Sequence, residues 1–201
     1  MLDLINVRKT FNKGTINQRV ALDGINLHLE DGDFVTVIGG NGAGKSTMLN
    51  AVAGVWPVDD GRIILDGEDI TDLDITGRAR LGVAYAFQQP VRFKGLTVRD
   101  LLELAAGKKL TADEQCGLLA KVGLCAEEYI GREMSAALSG GEAKRIEIAT
   151  VLARGAKLSV FDEPEAGIDL WSFARLVETF EDIRSNTSGS LVIISHQERI
   201  L

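Results

Sequence analysis

Nine consecutive residues, Gly39-Gly40-Asn41-Gly42-Ala43-Gly44-Lys45-Ser46-Thr47, combine small residues with one cation and two hydroxyls. The spacing is G-x-x-x-x-G-K-[ST], in which backbone N–H groups converge on phosphate oxygens and a following helix adds its positive end. Lys45 is expected to bridge the β- and γ-phosphates of a nucleoside triphosphate, and Ser46 to offer its hydroxyl to Mg²⁺. Gly39, Asn41, Gly42, Ala43, Gly44 and Thr47 complete the candidate phosphate cradle. Further along, the apolar run Leu158-Ser159-Val160-Phe161 ends in Asp162-Glu163. A carboxylate at the end of a buried strand beside such a loop is placed to hold magnesium through water, which is the part expected of Asp162. Glu163 is then the general base that polarises the attacking water.

These groups need strands and helices to hold them. Ile25, Leu27 and Leu29 alternate with Asn26, His28 and Glu30, the period of a half-buried strand. Asp31-Gly32-Asp33 turns the chain into Phe34-Val35-Thr36-Val37-Ile38, expected to be a strand buried on both faces. Ser46 to Ala53 reads as the helix after the glycine loop. Ile63 to Leu65 and Val83 to Phe87 read as short strands. Thr97 to Ala153 is helical in character, and Thr111-Ala112-Asp113-Glu114 is a capping box within it. Leu158 to Phe161 and Leu191 to Ser195 return to buried-strand composition, with a helix near Leu170 to Ser185 between them. The alternation predicts an α/β fold with a largely parallel central sheet and a helical insertion.

Composition narrows the classes. The 201 residues suit one domain, and 45% hydrophobic with 25% charged content is ordinary for a globular protein. Acidic residues outnumber basic ones by 29 to 22, so no broad footprint for nucleic acid is expected. No apolar run reaches the length of a membrane span, and the start of the chain lacks the regions of a signal peptide. Cys116 and Cys125 have no zinc-type spacing, which fits free thiols in a reducing cytosol.

A second motif, Leu138-Ser139-Gly140-Gly141-Glu142, resembles the signature sequence of the ATP-binding cassette (ABC) ATPases. The resemblance extends over nearly the whole chain. Gln88 matches the Q-loop glutamine, which in the family contacts magnesium and the water. Asp169, in Ala166-Gly167-Ile168-Asp169, matches the D-loop aspartate at a dimer seam, and His196 matches the switch histidine that contacts the γ-phosphate. Phe11 stands near where many members stack a tyrosine on adenine, and it is equally readable as a core or edge-strand aromatic. Such membership implies a P-loop NTPase core with an N-terminal antiparallel β subdomain and an inserted helical subdomain. The single domain would divide into a core over 1–87 and 154–201 and a helical part over 88–153. It further implies Mg-dependent ATP hydrolysis in a head-to-tail homodimer, with Ser139, Gly140, Gly141 and Glu142 closing over the ATP of the opposite subunit. A kinase or GTPase has no use for the signature motif, and no Asn-Lys-x-Asp guanine motif is present.

The resemblance further implies that closing and reopening of the dimer drives a partner, either a membrane transporter subunit or a soluble scaffold. Lys144-Arg145-Ile146-Glu147-Ile148 and the segments around Gln88 and Asp162 resemble the ATPase of Suf iron–sulfur cluster assembly. The segments Ala21 to Leu27 and Gly54 to Val58 resemble importer ATPases instead, which leaves open a chimera joined near 70–85. The chain ends five residues after His196, where family members continue with further strands, so C-terminal strands are expected to be missing. A domain that binds nucleotide without a native partner is therefore the alternative. Docking of either partner is expected on an apolar helical surface around Val91 to Leu102.

Overall fold

The computed structural model describes residues 1–135, 137–186 and 189–195. The switch position, His196, lies outside the described residues. Among the described residues, two four-stranded sheets carry the fold. The first is antiparallel and is built from β1 (Leu2–Phe11), β2 (Arg19–Leu29), β4 (Asp60–Leu65) and β5 (Glu68–Asp69), in the order β2-β1-β4-β5. The second is parallel and is built from β3 (Phe34–Val37), β6 (Val83–Ala86), β7 (Leu158–Asp162) and β8 (Ser190–Ile194), in the order β3-β8-β7-β6.

The parallel sheet is the middle layer. Period-two alternation sends Leu158, Val160, Val192 and Ile194 to one face, where they meet Met48, Leu49 and Val52 of helix α1 (Lys45–Ala53). The antiparallel sheet closes that same core through Leu2, Leu4, Val7, Leu29 and Ile63. Phe161, Leu191 and Ile193 point to the opposite face, into a core shared with Leu102, Leu119, Ile146, Ala149, Leu176 and Phe180. These come from α3 (Val98–Ala106), α4 (Ala112–Lys121), α6 (Gly140–Arg154) and α7 (Leu170–Asn186). Being covered on both faces, β8 is buried at every position. The expectation of such burial for 34–38 is corrected: all four residues of β3 are only half-buried and Ile38 is 65% exposed. In the strand order among the described residues, β3 stands at the end rather than the centre.

Helix starts follow the capping chemistry. Thr97, Thr111 and Ser139 each accept from an N–H three residues on, and Asp100, Glu114 and Glu142 reach back to the cap N–H. A short helix, α2 (Ile75–Arg80), carries the fully buried Arg78. Its guanidinium donates to the carbonyls of Ala51, Val52 (3.0 Å), Thr71 (2.7 Å) and Leu73 (2.9 Å). A cation thereby closes the C-terminal end of α1, where unpaired carbonyls concentrate negative potential. Cys116 in α4 and Cys125, which precedes the short α5 (Ala126–Tyr129), are free and exposed. No helix among the described residues is long and apolar enough to cross a membrane.

Candidate functional site

The glycine loop leaves β3 and enters α1 through Gly44, whose φ of +92° belongs to the left-handed region. A Cβ at that position would sit 2.3 Å from the carbonyl oxygen of Ala21, so only glycine lets the loop lie against β2. No side chain caps α1, which leaves its first N–H groups to the loop and to whatever the loop holds. A cavity of about 270 Å³ opens in front of the helix. Asn41, Gly42, Ala43, Gly44, Lys45, Ser46 and Thr47 line it, together with Gln88 and Glu163. The Lys45 ammonium donates to the carbonyls of Gly39 (2.7 Å) and Gly40 (3.1 Å), which folds its stem over the loop.

Phe11 also lines this cavity, at the end of β1. Trp56 supports it edge-on, with centroids 5.5 Å apart at 85°, and the Lys9 ammonium lies 5.7 Å from its ring. Arg19 and Ala21 are lining residues for which the sequence carried no motif. Antiparallel register places Arg19 opposite Phe11, and its guanidinium donates to the Gly42 carbonyl at 2.6 Å. Only that strand pairing across a turn could have signalled Arg19.

Behind the loop, Ser46 donates to Asp162 at 3.1 Å, and the Tyr85 hydroxyl donates to the other carboxylate oxygen at 3.2 Å. Burial pushes the Asp162 carboxyl above its ordinary range, and the two donors pull it back in part. Tyr85 is held firmly protonated by burial and by the same carboxylate. Two hard oxygens, the Ser46 hydroxyl and the Asp162 carboxylate, thus converge in a setting that favours a neutralising cation. Among the described residues no group of three or more His, Cys, Asp or Glu could hold a metal by itself. That donor set suits Mg²⁺ completed by phosphate and water.

Glu163 follows with a φ of +48°, a conformation that a residue with a side chain adopts at some cost. Its backbone N–H donates to Ile194 at 3.0 Å, and its carboxylate accepts from the Gln88 side chain at 2.8 Å. Beneath Gln88, the buried Lys144 donates to the Phe87 carbonyl, while Glu147 accepts from the Phe87 N–H at 3.2 Å. Tyr85, Lys144 and Glu147 lay outside the expected site. In the sequence Lys144 and Glu147 carry only a family resemblance, and Tyr85 carries no motif.

The remaining expected residues are brought together elsewhere. Ser139 and Gly140 are exposed at the start of α6, away from the cavity lining. Glu142 binds the Ser139 N–H (2.7 Å) and the Tyr129 hydroxyl (2.5 Å), and these donors pull its carboxyl down to about 2. Gly141 packs on the loop before α7: a Cβ there would lie 2.9 Å from the Gly167 carbonyl oxygen. The exposed Asp169 accepts from the Ser172 N–H (3.0 Å) and hydroxyl (2.7 Å), which makes it the opening residue of α7. Signature and D-loop segments therefore form one surface, separate from the cavity of their own chain.

The docking surface expected around Val91 to Leu102 needs correction. Val98, Leu101 and Leu102 are buried against α6, and the exposed apolar side chains nearby are Val91, Phe93 and Leu104. A separate groove of about 230 Å³ is lined by residues that include Ile75, Ala79, Phe87, Ala105 and Val151.

Comparison with known proteins agrees with this geometry. The profile of the family described as ABC transporter matches residues 22–166. An uncharacterized ABC transporter ATP-binding protein of Methanocaldococcus jannaschii, MJ0035, is 37% identical over 190 residues, covering 90% of this chain and 76% of its own length. That match passes through residues 70–85. A probable ATP-dependent transporter of Antithamnion sp., ycf16, is 27% identical over 201 residues, covering 93% of this chain and 79% of its own length. Among solved structures, the dimeric MJ0796, a bacterial ABC transporter cassette, superposes with a TM-score of 0.87 at 26% identity, covering all of this chain and 90% of its own.

Proposed function

The chain belongs to the ABC transporter ATP-binding family, and from that premise we propose that it is an ATP-hydrolysing motor subunit that dimerises head to tail around two ATP molecules. The observation that carries this reading is the division of the site. Loop, Glu163 and Gln88 line one cavity, with Asp162 hydrogen-bonded to Ser46 of its lining, whereas Ser139 and Asp169 face outward on the same molecule. A signature that cannot close its own chain's cavity is suited to closing a second subunit's.

In this reading Phe11 offers a stacking face to adenine and the loop N–H groups with Lys45 hold the phosphates. Ser46 and Asp162 would hold Mg²⁺, which would supply charge neutralisation for the phosphates. Glu163 orients a water molecule, takes its proton and is itself held by Gln88. The water oxygen bonds to the γ-phosphorus, the bond from that phosphorus to the β–γ bridging oxygen breaks, and ADP and inorganic phosphate leave. Ser139 of the partner subunit adds donors from the start of its helix. The part of His196 at the γ-phosphate rests on the family resemblance.

For the driven partner we propose a membrane transporter subunit, received at the groove lined by Phe87, Ile75 and Ala105. A soluble scaffold of iron–sulfur assembly type is the second reading, favoured by the Lys144-Arg145-x-Glu147-Ile148 segment. Recovery of the chain with membranes or with a soluble complex separates them.

Light scattering on Glu163→Gln with and without ATP and Mg²⁺ tests the motor. Loss of the base should trap a closed dimer of twice the monomer mass. A monomer that binds ATP without pairing would overturn the dimer and favour a nucleotide-binding domain without a native partner.

A further inference from the structure

Lys144 is fully buried, and so it takes a cation out of water inside α6. Its ammonium donates to the Phe87 carbonyl and lies 3.4 Å from that of Gln88. Glu147, one helical turn later, pairs with the ammonium at 3.4 Å and accepts the Phe87 N–H through its other oxygen. The Val91 N–H is also turned toward this carboxylate. One ion pair therefore holds both backbone polar groups of Phe87 and reaches the far end of the Gln88 segment.

A buried ion pair is a poor device for stability, because desolvation offsets most of the attraction, but it fixes geometry. The geometry fixed here matters because Gln88 is exposed and has little packing of its own to place it. Its hydrogen bond to Glu163, at 2.8 Å, depends on where the backbone leaves β6. We propose that the Lys144–Glu147 pair is a positioning device that clamps the Phe87–Val91 segment to the signature helix and so sets where Gln88 meets Glu163. Lys144 and Glu147 touch neither substrate nor the attacking water. They act through Gln88, and a shift of α6, which Ser139 caps, is carried to the base through them.

The inference rests on the parts given above to Gln88 and Glu163, and a double-mutant cycle on ATP turnover separates the two levels. Lys144→Met keeps the stem and removes the charge. It should lower kcat on the order of a hundredfold, the scale of a small misplacement of a reacting group, with KM for ATP held within about twofold. In a Gln88→Ala background the same substitution should cost less than about threefold, because its target is gone. An unchanged kcat, or an equal loss in both backgrounds, overturns the inference. If Gln88→Ala itself leaves turnover unchanged, the reading of the site fails first. Should Lys144→Met lose its melting transition, Glu147→Gln, which keeps shape and one acceptor, takes its place in the cycle with the same expectation.

Discussion

At the scale of single residues, the site depends on oxygens whose direction is set by neighbours. Asp162 is aimed by Ser46 on one oxygen and Tyr85 on the other, and Phe87 packs edge-on against the Tyr85 ring at 4.7 Å. Tyr85→Phe should therefore keep the ring in place and remove one donor from a buried carboxylate. A hydrogen bond to a charged group is worth about 1.5–3 kcal/mol, so turnover should fall by roughly ten- to a hundredfold. ATP titrations should show affinity nearly unchanged, and a variant with full kcat would mean that Ser46 alone aims Asp162. Lys45, Ser46, Asp162 and Glu163 were legible because their chemistry is written in contiguous runs. Tyr85 and Arg19 were not, since each joins the site by strand pairing between segments far apart in sequence.

At the scale of elements, α1 has to be held at both ends for its N-terminus to point at phosphate. The glycine at position 44 settles one end and Arg78 the other. Capping boxes and the strand-loop-helix order could be read directly, because those signals are local. Arg78 could not: in sequence it is one charged residue with no motif around it, and its burial follows from α2 folding across the end of α1. Removing the guanidinium takes a donor from four carbonyls at once, of which that of Ala51 keeps the Gly54 N–H at 3.2 Å. Arg78→Met should cost about 3 kcal/mol or more, the penalty for leaving buried acceptors unmet. For a chain of this size that corresponds to a fall in Tm of roughly 6–12 °C, measurable by calorimetry. A variant melting within a degree or two of the parent would show that water replaces the guanidinium at those carbonyls. The half-burial of β3 was missed for a related reason: an apolar run states that a strand is covered, not where it stands in the sheet order.

At the scale of the whole molecule, the signature surface and the phosphate cavity lie apart on one chain, and a head-to-tail pair would bring them together twice. Mixing two defective chains tests this geometry directly. Ser139→Arg should block turnover by filling the closing surface, while ATP affinity of the monomer is spared. Lys45→Ala should lose ATP affinity, because the phosphate charge loses its cation, while its own signature remains sound. Neither variant alone should turn over. In a head-to-tail dimer of the two, one site joins a sound loop to a sound signature and the other joins both defects. Equal mixing makes about half the dimers mixed, each with one sound site of two, so activity should return to at most about a quarter of the parent value. If loop and signature instead act within a single chain, every chain in the mixture is defective and no activity returns. The recovery depends on which chain supplies which half, so stability differences between the variants cannot imitate it.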